Sequence, residues 1–242
     1  MSGMVTYVLI HGSWHGGWCW DKLASLLIRQ GHSVIAPDLP GHGKDRTPIS
    51  KITLQSYVDL VCELLDSQTA PVCLVGHSRG GIVISQAAEL RPKKIQKLVY
   101  LAAFMLRNGE TMIQWARQDT DCLLLPNLAF SEDRVYHFIK NQGLIKDIFY
   151  GDCSDSDAEL AKSLLVFAEP TAPIETPLKL TESNYGRVPR CYIETRDDKA
   201  VSPMLQRRML KAAGCQRVVA MNTSHSPFLS QPSELARILN QI

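Results

Sequence analysis

The sequence predicts an α/β fold in which a parallel sheet lies between two layers of helices. Short apolar segments alternate with helix-length amphipathic segments along most of the 242 residues. The apolar segments are hydrophobic throughout rather than at every second position, which is typical of strands that are buried on both faces. Parallel strands need crossover connections, and the helices between these segments supply them.

The first part of the chain contains four predicted strands with a helix between each pair. The strands are Val5–His11, Ser33–Pro37, Val72–Gly76 and Ile95–Ala102. The helices are Trp18–Gln30, Leu54–Ser67 and Gly80–Leu90. Apolar side chains recur every three or four residues in the second helix, which indicates one face packed on the sheet. The last part repeats the pattern with strands Cys191–Glu194 and Arg217–Met221 and helices Met204–Ala213 and Glu234–Gln241.

The segment from Met105 to Arg187 interrupts this alternation. It holds eight of the 17 aromatic residues, and with 13 acidic and eight basic residues it is more acidic than the rest of the chain. We predict that residues 105–187 form a helical cap, inserted into a core made of residues 1–104 and 188–242. Insertions in such folds usually cover the functional edge of the sheet. The alternative is a set of extra helices that only thickens the core.

Composition and charge exclude several classes of protein. A hydrophobic fraction of 45% and a charged fraction of 21% are ordinary for a folded chain. The net charge of +2 is too small to indicate nucleic acid or an anionic membrane as the main partner. The longest apolar run, Leu98–Leu106, is much shorter than the roughly 20 residues of a membrane helix. The first ten residues lack Lys and Arg, so we expect no signal peptide and a cytoplasmic protein.

Cysteine, histidine and glycine patterns indicate no metal or cofactor. The seven cysteines are dispersed and form no CxxC pair, so we expect reduced thiols that pack in the core. His11 and His15 leave a strand into a glycine loop, where no helix brings them onto one face. No glycine motif for a dinucleotide or a phosphate is present.

The strongest chemical signal is Gly76-His77-Ser78-Arg79-Gly80, between an apolar strand and a helix. A nucleophilic serine needs a sharp turn that lifts its hydroxyl clear of the backbone. Glycines two residues to either side let the strand and the helix approach each other. Ser78 is therefore the candidate nucleophile.

A serine nucleophile needs a base and an acid that orients the base. His225 follows the last predicted strand in a loop of small and polar residues, and the other histidines fit this role less well. The strand Cys191–Glu194 leads into Asp197 and Asp198, which compete for the acid, and Glu194 is a third candidate. Asp38 ends an earlier strand, and we interpret it as a hydrogen-bond acceptor that fixes its loop.

With these residues placed, the chain resembles the α/β-hydrolase superfamily over essentially its whole length. The resemblance rests on Val8–Trp18, on the turn around Ser78, on Asp198-Lys199 and on the loop of His225. More narrowly it looks like the branch of plant salicylate-binding-type methylesterases, hydroxynitrile lyases and small bacterial carboxylesterases. This implies a six-stranded, mostly parallel sheet with helices on both faces and a helical cap between Ala102 and Arg190.

The resemblance also implies a site. Its order of nucleophile, acid and base gives Ser78, Asp198 and His225 as a catalytic triad. The backbone N–H groups of Ser13 and Arg79 would form the oxyanion hole. The aromatic and methionine-rich cap indicates an apolar pocket, whose candidate residues are Gly12, Trp14, Phe104, Met105, Met112, Trp115, Phe130 and Ser226.

Two positions separate the chemistries of this branch. Its lyases carry a threonine where this chain has Gly12, and a lysine where it has Ser226. We expect Gly12 to leave open space beside the oxyanion hole, which suits ester hydrolysis. Ser226 also differs from the methionine that is typical of the plant methylesterases.

The sequence therefore predicts a serine carboxylesterase without a cofactor. It would hydrolyse small hydrophobic or aryl esters through an acyl-enzyme. The alternatives are a hydroxynitrile lyase, and a small-ligand receptor or binder on a hydrolase fold. The expected partner is a small-molecule ester, with no nucleic acid and no membrane, and a homodimer stays open.

Overall fold

The structure, a computed structural model, describes residues 3–215 and 217–242. Its strands are β1 (Thr6–Ile10), β2 (Ser33–Ile35), β3 (Val72–His77), β4 (Ile95–Leu101), β5 (Leu128–Phe130), β6 (Tyr136–Ile139), β7 (Glu169–Pro170), β8 (Arg190–Thr195) and β9 (Arg217–Met221). Six of them form one sheet in the order β2-β1-β3-β4-β8-β9, and each adjacent pair is parallel. The predicted α/β fold is confirmed, and the ends of the six predicted strands differ from the observed ends by no more than two residues.

The helices are α1 (Asp21–Arg29), α2 (Leu54–Asp66), α3 (Gly80–Leu90), α4 (Met112–Ala116), α5 (Ile145–Phe149), α6 (Asp155–Leu164), α7 (Ala172–Glu175), α8 (Pro203–Ala213), α9 (Pro227–Ser230) and α10 (Pro232–Gln241). The first begins later than predicted because Gly17–Trp20 forms a turn of 3₁₀ helix before it. The last begins earlier, with Pro232 in its first turn, where proline is favoured because its missing N–H needs no partner.

Alternate residues of the sheet belong to two separate core clusters. In β1, Val8 and Ile10 pack in a cluster that also holds residues of α2, α3 and α8. Tyr7 and Leu9 pack in a second cluster with residues of α1 and α10. Successive side chains of a strand point to opposite faces, so an entirely apolar strand fills both layers. This is why the strands carry no alternation of polar and apolar residues.

The segment from Met105 to Arg187 contains sheet as well as helix. Helices α4 to α7 lie in it together with a small antiparallel sheet in the order β5-β6-β7. These strands are two to four residues long. Strands that short are below the length at which alternation is recognisable, so the sequence pattern did not reveal them.

Apolar contacts join this segment to the loops at one edge of the large sheet. Trp14 and Ala200, which leave β1 and β8, are buried in one cluster with Ile148 and Phe149 of α5. The first and last parts of the segment, including Met105 and Leu180, pack in the cluster beside α2 and α3. The insertion thus covers the edge at which β1, β3, β8 and β9 end.

The cysteines match the expectation of reduced thiols, and most of them are buried. All seven cysteines are free thiols, and all except Cys215 are buried. Across residues 3–215 and 217–242, no helix combines the length and the apolar character that a membrane crossing needs.

Candidate active site

Ser78 lies at the sharp turn between β3 and α3. Its φ angle is +53°, a conformation that residues other than glycine rarely adopt. The backbone of Ser78 forms three hydrogen bonds within the described chain: Ser78 N–H donates to the Leu101 carbonyl (3.2 Å), and the Ser78 carbonyl accepts from the N–H groups of Gly81 (3.1 Å) and Phe104 (3.0 Å). Strain of this kind persists only where surrounding contacts enforce it, and it is concentrated at functional sites.

The two glycines that flank Ser78 are required by close backbone contacts. A Cβ atom on Gly76 would lie 2.7 Å from the carbonyl oxygen of Gly80. A Cβ atom on Gly80 would lie 2.7 Å from the carbonyl oxygen of Ile10. Neither contact leaves room for a side chain, so the spacing of these glycines has the steric cause that the sequence predicts.

Asp198 is the acid that faces the histidine. It is 3% exposed, and its Oδ2 atom accepts a hydrogen bond of 2.7 Å from Nδ1 of His225. Its Oδ1 atom accepts from the N–H groups of Ala200 (2.8 Å) and Val201 (2.9 Å). The Thr195 hydroxyl donates to Oδ2 over 2.8 Å. The carboxylate is therefore fixed on both oxygens.

The two competing acids lie elsewhere. Asp197 is exposed, and its backbone N–H donates to the carbonyl of Thr223 over 3.0 Å. Glu194 forms an ion pair of 2.6 Å with Arg207. Of the three candidates that the sequence left open, only Asp198 contacts His225.

His225 follows β9 and is 1% exposed. Because a carboxylate only accepts hydrogen bonds, Nδ1 carries the proton, and Nε2 is left as an acceptor. The backbone is also fixed, since Nε2 of His77 lies 2.9 Å from the His225 carbonyl oxygen. His225 and Ser78 line the same cavity.

Four other histidines are buried and are held neutral. Burial lowers the pKa of His15 to about 4 and that of His137 to about 4. Burial likewise lowers the pKa of His11 and of His77 well below the ordinary value of 6.5. Each has a structural partner, such as the Tyr150 hydroxyl, 2.8 Å from His15. These four rings are therefore uncharged near neutral pH.

Ser13 and Arg79, the predicted oxyanion donors, lie on either side of the serine. Ser13 follows β1 and lines the cavity, and Arg79 directly follows Ser78. Among the hydrogen bonds of the described residues, neither backbone N–H has a protein partner. Ser13 is among the residues that line the cavity, whereas Arg79 is not.

The cavity that contains Ser78 and His225 is mostly apolar. Its aliphatic and aromatic walls include Met112, Leu124, Leu128, Phe149, Ile174 and Leu205. Besides Ser13, Ser78 and His225, its polar lining consists of Asp119 and His137. The Asp119 carboxylate accepts from the backbone N–H (2.8 Å) and the hydroxyl (2.5 Å) of Ser202, directly before α8.

Three of the eight predicted pocket residues line this cavity, namely Trp14, Phe104 and Met112. Met105 and Trp115 instead pack in the core cluster beside α2 and α3. Phe130 lies in β5 under the Arg134 guanidinium. Ser226 is fully buried at the start of α9, and its hydroxyl lacks a hydrogen-bond partner within the described chain. The orientation of these side chains depends on the packing of short elements, which the sequence pattern does not specify.

The surroundings of Gly12 differ from the expected ones. We expected open space beside it, but a Cβ atom there would lie 2.8 Å from Cβ of Ser78 and 2.9 Å from Nδ1 of His77. The loop after β1 packs directly on the turn that carries the nucleophile. Gly12 is therefore a close-approach glycine, and its missing side chain leaves no room for substrate or water.

Asp38 fixes its loop as predicted. Its Oδ1 atom accepts from Gly17 N–H over 2.7 Å, and its Oδ2 atom accepts from Lys44 N–H over 2.9 Å. Within residues 3–215 and 217–242, no group of three or more His, Cys, Asp or Glu side chains is arranged to hold a metal ion.

A buried charge cluster beside the site was not found from the sequence. Arg79 and Glu169 are both inaccessible to solvent, and Arg79 Nε lies 3.1 Å from Glu169 Oε1. His42 Nε2 lies 2.9 Å from Glu169 Oε2. Burial acts to raise the pKa of Glu169, but the charges of Arg79 and His42 outweigh it and hold that pKa well below its usual value. The sequence did contain one indication of this cluster, because Arg79 lies between a buried strand and a buried helix. A charged side chain in that position needs a buried partner of opposite charge.

Comparisons with known proteins show which family the chain is similar to. A sequence profile described as the Alpha/beta hydrolase family matches residues 7–238. Methylesterase 7 of Arabidopsis thaliana is 33% identical, with 98% of this chain and 95% of that protein covered. Salicylic acid-binding protein 2 of Nicotiana tabacum is also 33% identical, with 98% and 96% covered.

The fold extends the similarity. The crystal structure of polyneuridine aldehyde esterase aligns with a TM-score of 0.89 at 27% identity, covering 99% of each chain. The chain spans only 55% to 63% of three longer Arabidopsis relatives that are named chloroplastic methylesterases. Since the family profile covers nearly the whole chain, this protein belongs to the α/β hydrolase family.

Proposed function

We propose that this protein is a serine carboxylesterase that acts on small hydrophobic or aryl esters. The observation that carries the proposal is the hydrogen bond of 2.7 Å between Asp198 and His225, which lines the same cavity as the strained Ser78. A nucleophile, a base and a group that orients the base are the minimum for acyl transfer.

In the first half of the reaction, Nε2 of His225 takes the proton of the Ser78 hydroxyl. The Ser78 oxygen attacks the ester carbonyl, and the N–H groups of Ser13 and Arg79 stabilise the oxyanion that forms. Asp198 holds the imidazole in the required tautomer and stabilises the imidazolium. The tetrahedral intermediate then collapses, the C–O bond to the alcohol breaks, and His225 protonates the leaving alkoxide.

In the second half, water hydrolyses the acyl-enzyme. His225 again acts as the base and takes a proton from the water, which attacks the acyl carbonyl. The same two N–H groups face the oxyanion of this second intermediate. Its collapse releases the carboxylic acid and returns the proton to Ser78.

The walls of the cavity support the substrate class. Apolar residues from the insertion and from α8 surround Ser78, which favours an apolar acyl or alkoxy group over a charged one. The names of the relatives support ester hydrolysis, since methylesterase 7 and polyneuridine aldehyde esterase are among them. Salicylic acid-binding protein 2 is named for binding, and this keeps a ligand receptor as the rival.

The test is turnover of a panel of p-nitrophenyl and methyl esters with varied acyl and aryl groups. We expect Ser78→Ala to lower kcat by roughly 10³- to 10⁶-fold, because the nucleophile is lost. A fluorophosphonate probe should label Ser78. Ser25→Ala changes an exposed serine of α1 and is the matched control.

Three outcomes contradict the proposal. Labelling at another residue sinks the nucleophile assignment. Binding of aryl esters without turnover identifies a receptor instead. Cyanide release from mandelonitrile that is faster than hydrolysis of p-nitrophenyl acetate identifies a lyase.

A further inference from the structure

The side chain of Arg79 occupies the space beneath the loop that supplies the other oxyanion donor. It is fully buried between the turn of Ser78 and the loop after β1, with its guanidinium 4.4 Å from the centre of the Tyr57 ring. Its Nη2 atom donates to the Gly12 carbonyl over 3.3 Å, and its Nε atom donates to the Ser13 hydroxyl over 3.2 Å. One side chain thus holds two successive residues of that loop.

The contact to Gly12 determines where the Ser13 N–H points. The Gly12 carbonyl and the Ser13 N–H belong to one planar trans peptide, so they point in opposite directions. Nδ1 of His11, 2.8 Å from the same carbonyl oxygen, adds a second contact on that side. With the carbonyl fixed toward Arg79, the Ser13 N–H is directed away from Arg79, and Ser13 lines the cavity.

Glu169 holds the same loop from the side of the insertion. Its Oε1 atom pairs with Arg79 Nε (3.1 Å), and its Oε2 atom accepts from the backbone N–H of Trp14 (2.6 Å). Trp14 has a φ angle of +60°, and its carbonyl accepts from Val166 N–H over 3.0 Å. A tryptophan keeps such a conformation only while its surroundings enforce it. The segment from Val166 to Glu169 supplies both of these backbone contacts.

We propose that the Arg79 side chain and Glu169 are positioning residues that aim the Ser13 N–H at the reacting carbonyl oxygen. Neither side chain touches the substrate. Arg79 acts through the Gly12–Ser13 peptide, and Glu169 acts through Arg79 and the N–H of Trp14. The inference rests on the proposed esterase function and assigns a catalytic purpose to the contact between the insertion and the loop after β1.

The alternative is a buried ion pair that only stabilises the fold. A variant that removes both charges separates the two roles, because the guanidinium and the carboxylate are removed together and neither is left buried without the other. In Arg79→Met/Glu169→Gln, the amide oxygen that replaces the carboxylate can still accept from Trp14 N–H, but the Gly12 carbonyl loses its guanidinium donor. Arg79→Lys is the second variant, since it keeps the charge beside Glu169 and lacks the planar fork that reaches both Gly12 and Ser13.

The readout compares two ketones that differ in one terminal group, CF3 or CH3, and therefore in the electrophilicity of the carbonyl that forms the oxyanion. The serine oxygen adds to the carbonyl of 1,1,1-trifluoro-4-phenylbutan-2-one, and the adduct mimics the tetrahedral intermediate. We expect 4-phenylbutan-2-one to bind the cavity without forming a stable adduct. Both inhibition constants are measured together with kcat and KM for p-nitrophenyl butyrate. Glu175→Gln is the matched control, because it breaks an exposed ion pair (Arg134–Glu175, 2.9 Å) in the same insertion.

We expect kcat/KM to fall about 10- to 100-fold in both test variants, less than for complete removal of an oxyanion donor. The inhibition constant of the trifluoromethyl ketone should rise by the same factor, while that of the methyl ketone changes by less than about twofold. The control should match the wild type in all of these constants.

Two results overturn the inference. If the folded variants keep the wild-type kcat/KM and trifluoromethyl ketone affinity, the pair is only structural. If both ketones weaken equally, the cavity has changed shape and the oxyanion donor has not been affected selectively. Failure of the wild type to turn over any ester is a different result, because it rejects the esterase function itself.

Discussion

Two buried acid–base pairs lie beside Ser78, and they differ in what surrounds them. Asp198 and His225 come from loops after β8 and β9, and the histidine lines the cavity. Glu169 and Arg79 join the insertion to the turn after β3, and both are closed off from solvent. Of the two pairs, only the first includes a residue whose side chain lines the cavity. Both pairs are buried. They differ in that His225 reaches the cavity and can react with a ligand, whereas the side chains of Arg79 and Glu169 do not reach it and can only position other groups.

Of the changes to the two pairs, the substitution of Asp198 should have the largest effect on the catalytic rate. We expect Asp198→Asn to lower kcat by about 10²- to 10⁴-fold, because the amide can no longer hold His225 with its proton on Nδ1. Steady-state hydrolysis of p-nitrophenyl acetate measures the loss. The fold should be retained, since the amide oxygen can still accept from the Ala200 and Val201 N–H groups.

Asp197→Asn is the matched control for that experiment. Asp197 is the neighbouring acid but is exposed, so its change should leave kcat within about threefold of the wild type. An inactive Asp197 variant beside an active Asp198 variant would show that the acid has been assigned to the wrong residue.

The pH dependence of kcat/KM sharpens the comparison by identifying the base. We expect kcat/KM to fall about tenfold per pH unit on the acid side of one ionisation, because the base must be neutral to accept the Ser78 proton. Burial lowers the pKa of both His15 and His137 to about 4, so neither ring produces an ionisation above roughly pH 5.

The measurement is a profile of ester hydrolysis from about pH 5 to 9. His137→Gln should show the acid limb at the same pH as the wild type, whatever its effect on the rate. A wild-type profile that is flat across this range would argue against a histidine base.

The pair of Glu169 and Arg79 should affect how the free energy of unfolding changes at acidic pH. The pKa of Glu169 is held below its ordinary value of 4.5, so its contribution to the free energy of unfolding is complete above that pH. The contribution is lost as the pH falls below 4.5 toward the folded-state pKa, by up to about 1.4 kcal/mol per pH unit. Arg79→Met/Glu169→Gln removes this group and should lose stability less steeply.

Urea unfolding at about pH 6 and about pH 4 tests this difference. Glu175→Gln, in the exposed pair, should show the wild-type dependence on pH. Equal slopes for the double variant and the wild type would mean that Glu169 gains no stabilisation from Arg79 and His42.

The sequence by itself determined the six-stranded sheet, the turn of Ser78 and the positions of Asp198 and His225 in late loops. These features depend on short-range patterns, since a strand buried on both faces must be apolar throughout. The turn must carry glycine where backbones meet, as Gly76 and Gly80 show. The choice of Asp198 over Asp197 also needed the resemblance to a family, because both acids follow the same strand.

Only the tertiary structure decided what lies within the insertion and beneath the oxyanion loop. The contact of Trp14 with Glu169 joins residues 155 positions apart, and no local pattern encodes such a pairing. The same reason explains why Met105 and Trp115 were placed in the wrong environment and why Gly12 was expected beside open space. A residue's type limits what it can contact, but its actual neighbours depend on how distant segments pack.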